Sequence, residues 1–206
     1  MSAAEHTLTG LSDIPLALRG PAPVRVVAGF GFWLFLLSDI ILFAALFATY
    51  AVLSGATADG PTAAELFDKR HVFWETMFLL ASSVACGFGL LAIHRTDARA
   101  TYFWMALTFF LGACFLRMEG GEFAGMVAAG AGPSHSAFLS AFFTLVGTHG
   151  LHVSVGLVWL VIMLLQLRTL GFQPMVGRRF FCFALFWHAL DIVWIGVFTI
   201  VYLGAK

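Results

Sequence analysis

Charged side chains are scarce in this sequence: eleven basic and eleven acidic residues among 206, or 11%, where soluble domains carry about 25%. A chain of this length in water needs a polar exterior, and so few charges cannot cover one, which excludes an ordinary soluble domain. The two signs cancel to a formal net charge of zero, so the balance points neither to nucleic acid nor to a purely electrostatic hold on a membrane surface. Cysteine is also sparse. Cys86, Cys114 and Cys182 lie inside apolar runs without CxxC spacing, and they read as small buried hydrophobes, not as ligands or bridges. No GxGxxG, P-loop or HExxH string is present, and the GFG at Gly87 to Gly89 falls inside a helical stretch as packing. The opening MSAAEHTLTGLSDIPLALRGPAPVR carries acids and prolines but no compact apolar region, so no cleaved signal peptide is expected.

What is abundant is long apolar runs. A helix needs about 20 mostly apolar residues to cross the hydrocarbon layer, where the backbone has only itself to bond to. Five stretches qualify, at approximately 26–53, 72–93, 100–124, 137–167 and 178–203. The reading is an all-α, multi-pass membrane protein: a tail over 1–25, then a membrane domain of five transmembrane helices over 26–206. The third stretch has the shortest clean apolar core and ends in the polar run RMEGGE, so its charged end is expected to pack against protein. Ser54-Gly55 to Gly60-Pro61, Gly125 to Ser134, and Gly171 with Pro174 supply the stops and turns between helices.

Cytoplasmic loops retain Lys and Arg. Arg19, Arg25, Arg95, Arg99, Arg168, Arg178 and Arg179 fall on one side, against Lys69, Arg70, Lys206 and at most Arg117 on the other. This places the N-terminus in the cytoplasm and the C-terminus in the periplasm.

Ionisable groups inside a bilayer cost several kcal/mol unless paired, so they face the bundle interior. Here they are Asp39, Glu75, Glu119 and Glu122, His149 and His152 in THGLH, and His188 and Asp191 in WHALD. At about 1.5 Å per residue, Asp39, His152 and Asp191 share one depth, while Glu119 and His149 share another further out. Two interhelical clusters are expected: Glu119, with Glu122, against His149; and His152 against His188, Asp191 or Asp39. Three imidazoles and a carboxylate make a zinc or iron set in the abstract. Mutual neutralisation across helices is the reading preferred here. Four histidines in or near the spans, His71, His149, His152 and His188, fall short of the density that haem plus copper would need.

Small residues follow Glu75 at Ser82, Cys86 and Gly89, and recur at Ser140, Gly147, Gly150, Ser154 and Gly156, where helix backbones are expected to approach closely. Trp33, Trp74, Trp104, Trp187 and Tyr202 are placed nearer the membrane interfaces, as amphipathic rings prefer. Arg95, Arg99, Arg178 and Arg179 are candidates for lipid head-group contacts.

The strings GFWLFLLSDIILFAALFATYAVL, ETMFLLASSVACGFG, FLSAFFTLVGTHGLHVSVGLVWL and LFWHALDIVWIGVFTIVYLGA, in that order, together with RMEGGEF, resemble subunit III of haem-copper terminal oxidases. The long cytochrome c oxidase form has two further N-terminal helices. The five-helix length, SDIILF and FLSAFF…LVGTHGLHV look most like the bo-type ubiquinol oxidase branch, with the five-helix bacterial cytochrome c oxidase form as the alternative. The resemblance implies an accessory, non-catalytic chain with no cofactor of its own. It implies haems and copper on the catalytic subunit, structural phospholipids, and subunits I, II and a small subunit IV as partners. It also places Asp39 where the cytochrome c oxidase branch has a membrane glutamate, and matches Glu119, Glu122, His149, His152, His188 and Asp191 to that branch's polar core.

Overall fold

A backbone in lipid must satisfy its own N–H and C=O groups, and this chain does so with helices throughout. The computed structural model describes residues 24–58 and 69–204, and no strand occurs among them. The helices are α1 (Val24–Leu53), α2 (Lys69–His94), α3 (Ala98–Ala128), α4 (Ala137–Leu170) and α5 (Pro174–Val197), the last continuing into a π-helical turn at Phe198–Leu203. Five of these segments are long and apolar enough to cross a membrane. Apart from Val24 and Arg25, the tail over 1–25 lies outside the described residues, as does most of the connection from 59 to 68.

Local chemistry sets the boundaries. Asp97 caps α3 by accepting from the Ala100 N–H at 3.1 Å, and Ser136 caps α4 by accepting from the Leu139 N–H at 3.2 Å. Gly171 ends α4 with φ at 67°, a left-handed conformation that a Cβ would disfavour. Pro174 opens α5 at a position where its missing N–H costs nothing, so this helix begins before the expected 178. Helix α3 runs four residues beyond the expected 124, to Ala128, because the acidic pair Glu119 and Glu122 faces protein and does not end the span.

The described residues fall into two units, one up to Phe35 and one from Leu36 onward. In the first, Val26, Val27, Phe30, Trp33, Leu34 and Phe35 of α1 are exposed, and Phe30 stacks on Trp33 with ring centroids 6.3 Å apart. The second unit holds the core. There α2 packs on α3 and α5, and α4 packs on the same two helices, closing a ring of four. From Leu36 onward, α1 adds Phe43 and Tyr50 to that core; the Phe43 ring centroid lies 5.3 Å from His152, and that of Tyr50 lies 6.1 Å from Phe138.

Large side chains enter where glycine leaves room. A Cβ built on Gly112 or Gly156 would stand 3.0 or 2.9 Å from the Trp187 indole, so α3 and α4 both make space for one ring of α5. Leu151, Val155, Val158, Ile162 and Ile192 are left exposed, as lipid contact permits.

Candidate functional site

The polar side chains of the second unit fall into three groups, each organised by helix spacing. On α5, Trp187 and Trp194 are seven residues apart, and both point toward α2. The Trp187 Nε1–H donates to Ser82 Oγ at 3.0 Å, and the Trp194 Nε1–H donates to Thr76 Oγ1 at 3.1 Å. Each hydroxyl passes its own proton to a backbone carbonyl one turn back, Ser82 to Leu79 and Thr76 to Val72. Trp187 is 1% exposed and Tyr202 0%, so neither is an interfacial ring as the sequence led us to expect. The indole N–H groups find hydroxyl partners inside the bundle, which removes their reason to seek the membrane surface.

Immediately beside the Trp187–Ser82 pair, His188 Nδ1 lies 2.6 Å from Ser83 Oγ. The Asp191 carboxyl lies near the same hydroxyl and near His188. Asp191 Oδ1 is buried without a hydrogen-bond partner.

His152 pairs with Asp39, at 3.8 Å between Nε2 and Oδ1, each side chain 20% exposed. Its Nδ1 lies 2.8 Å from the Thr148 carbonyl, which can only accept, so Nδ1 carries a hydrogen. The expected second cluster thus resolves into two: His152 goes to Asp39, whereas His188 goes to Ser83, with Asp191 beside it.

The expected cluster of Glu119 and Glu122 with His149 does not form. His149 is fully buried; its Nε2–H donates to the Leu190 carbonyl at 3.2 Å, and its ring packs against Trp194 and Phe115 at 5.0 and 5.6 Å. Neither glutamate lies within ion-pair distance of it. Depth along the helix axis is shared, but α4 turns its two histidines to different neighbours. The glutamates instead gather with Glu75 and interact mutually. Glu75 is 0% exposed and 3.4 Å from the half-exposed His71 one turn away, Glu119 lies flat on Gly150, and Glu122 accepts from the Tyr202 hydroxyl at 3.2 Å. A Cβ on Gly150 would stand 2.8 Å from both Glu119 oxygens.

Sequence reasoning overlooked Ser82, Ser83 and Thr76 as hydrogen-bond acceptors. The two indoles of WHALDIVW, seven residues apart on one face of α5, were the signal that the neighbouring helix must supply acceptors, which Thr76 and Ser82 are. Arg95 and Arg99 are exposed at the α2–α3 junction, while Arg178 and Arg179 are half-buried at the start of α5, where Arg179 donates to Gln166 Oε1 at 2.5 Å. Among the described residues no three His, Cys, Asp or Glu side chains converge so as to hold a metal ion.

Residues 17–206 match the family described as cytochrome c oxidase subunit III. The cytochrome bo(3) ubiquinol oxidase subunit 3 of Pseudomonas aeruginosa is 51% identical over 174 residues, 84% of this chain and 83% of that protein. The quinol oxidase subunit 3 of Bacillus subtilis is 41% identical over 199 residues, 97% of each. The cytochrome c oxidase subunit 3 of Bacillus sp. PS3 is 43% identical over 173 residues, 84% of each.

Proposed function

The chain belongs to the cytochrome c oxidase subunit III family, and on that premise we propose that it is the non-catalytic third subunit of a proton-pumping, bo-type ubiquinol oxidase in a bacterial inner membrane. The observation that carries the donor assignment is the 51% identity to a ubiquinol oxidase subunit, against 43% to a cytochrome c oxidase subunit of similar coverage. That second relative is the reason to keep a five-helix cytochrome c oxidase subunit as the competing reading.

The accessory role is supported by how the histidines are used. His149 binds the Leu190 carbonyl, His152 binds the Thr148 carbonyl and Asp39, and His188 binds Ser83. Each of these imidazoles ties one helix to another or to its own backbone. In this reading haems and copper reside on subunit I, with subunit II beside it and a small subunit IV completing the assembly. The chain contributes stability, assembly and bound phospholipid, with Arg95, Arg99, Arg178 and Arg179 at the cytoplasmic face as head-group contacts.

The test is to purify the complex, record its visible spectrum, and then strip this chain with detergent. Haem bands that remain with the other polypeptides, and oxygen uptake driven by ubiquinol but not by reduced cytochrome c, are the expected results. Haem or metal travelling with this chain would overturn the accessory role, and uptake driven by cytochrome c alone would overturn the donor.

A further inference from the structure

Arg117 has no role in the network above. It lies in the body of α3 and is exposed, whereas the other charged side chains described well away from helix ends, Asp39, Glu75, Glu119, Glu122 and Asp191, are buried or half-buried. No carboxylate within ion-pair distance of Arg117 occurs among the described residues. Helix α3 has 31 residues, which makes it about 46 Å long against about 30 Å of hydrocarbon. With the excess shared between both ends, Arg117 stands roughly 8 Å inside the hydrocarbon edge nearest Ala128. An arginine within the hydrocarbon is unfavourable unless it is compensated.

Two features bear on what compensates it. Side chains leave a helix tilted toward its N-terminus, so Arg117 starts out directed away from the nearer membrane surface and toward the bilayer interior. Lipid phosphate lies in the opposite direction. Beyond Arg117, its exposed side of α3 is nearly bare: Gly120, Gly121 and Gly125 have nothing within 4 Å of a built Cβ, and Ala124 is exposed between them. Before it on that side come the exposed Phe110 and Phe103. A bare backbone shelf beside a lone cation suits a closely approaching helix that brings an acid.

We propose that this face of α3 is the docking surface for a membrane helix of another subunit of the oxidase, one carrying an Asp or Glu that pairs with Arg117. Charge complementarity names the partner's chemistry, and the glycines set how near its backbone comes. The inference rests on the accessory-subunit reading, since it takes the partner from the same complex.

The experiment uses the intact complex. A photo-crosslinking amino acid at Ala124 is activated in membranes, and the joined peptides are identified by mass spectrometry. In parallel, Arg117→Glu and Gly121→Leu complexes are purified through the haem-bearing polypeptide, and the amount of this chain retained is compared with its content in the membrane, which reports insertion separately. Expected are a crosslink to a helix of another oxidase subunit and retention lowered about tenfold in Arg117→Glu, as about 1.4 kcal/mol of lost association gives. Retention should return when the acid opposite is changed to Arg. Crosslinks to lipid alone, or retention unchanged in both variants, would overturn the docking surface while leaving the accessory reading intact. Failure of the unaltered chain to purify with the haem-bearing polypeptides would defeat both.

Discussion

A tryptophan inside a bundle must place an N–H as well as a ring, and Trp187 and Trp194 do so on two hydroxyls of α2. Lipid offers no substitute acceptor, so the hydroxyl matters more than its size. Ser82→Ala leaves the Trp187 N–H buried and unpaired and is expected to lower stability by about 1–3 kcal/mol; Trp187→Phe, which removes the donor together with part of the ring, isolates the packing contribution. Thermal unfolding in detergent compares the two, and an unchanged midpoint for Ser82→Ala would show that the bond contributes nothing. Ser83 carries a second case, because it bonds His188 and lies beside Asp191. Ser83→Ala is expected to cost about 1–3 kcal/mol and Ser83→Thr to recover most of it, since only the second keeps the hydroxyl oxygen. Equal losses in both would place the effect in the helix backbone.

At the scale of helices, the glycines decide which elements can touch. Gly156 of α4 lies under Trp187, and a methyl there would come within 2.9 Å of the indole, whereas Gly177 of α5 has nothing within 4 Å. Gly156→Ala is therefore expected to cost about 1–3 kcal/mol through overpacking. Gly177→Ala gains helix propensity of up to about 1 kcal/mol with nothing to displace. The pair of midpoints measured in one detergent checks the contrast, and a loss at Gly177 as large as that at Gly156 would contradict it. The stripe of small residues was legible as close packing from the sequence. That one ring, Trp187, occupies the space left by glycines on two different helices was not, because Gly112 and Gly156 are remote in sequence and meet only when α3, α4 and α5 assemble.

For the whole molecule the expected consequence is a division of labour: side chains that fasten helices affect assembly, and electron transfer proceeds elsewhere. His188→Leu should reduce the yield of complex containing this chain while the complex that survives keeps its haem spectrum. Normal yield with altered haem bands would contradict this. Hydropathy alone marked five spans, since the bilayer demands about 20 apolar residues in a row and that requirement is written in one dimension. The ionisable residues inside the spans were equally legible, because burial in lipid makes them rare. Their partners were not. Depth along each helix can be counted from the chain, and it correctly put Asp39 and His152 in one layer, but it also put Glu119 beside His149, which the structure turns away to the Leu190 carbonyl. Which face of each helix meets which neighbour depends on rotation about the helix axis. That rotation is set by how Trp187, Trp194 and Phe115 fit against glycines and hydroxyls of other helices, and only the assembled packing decides it.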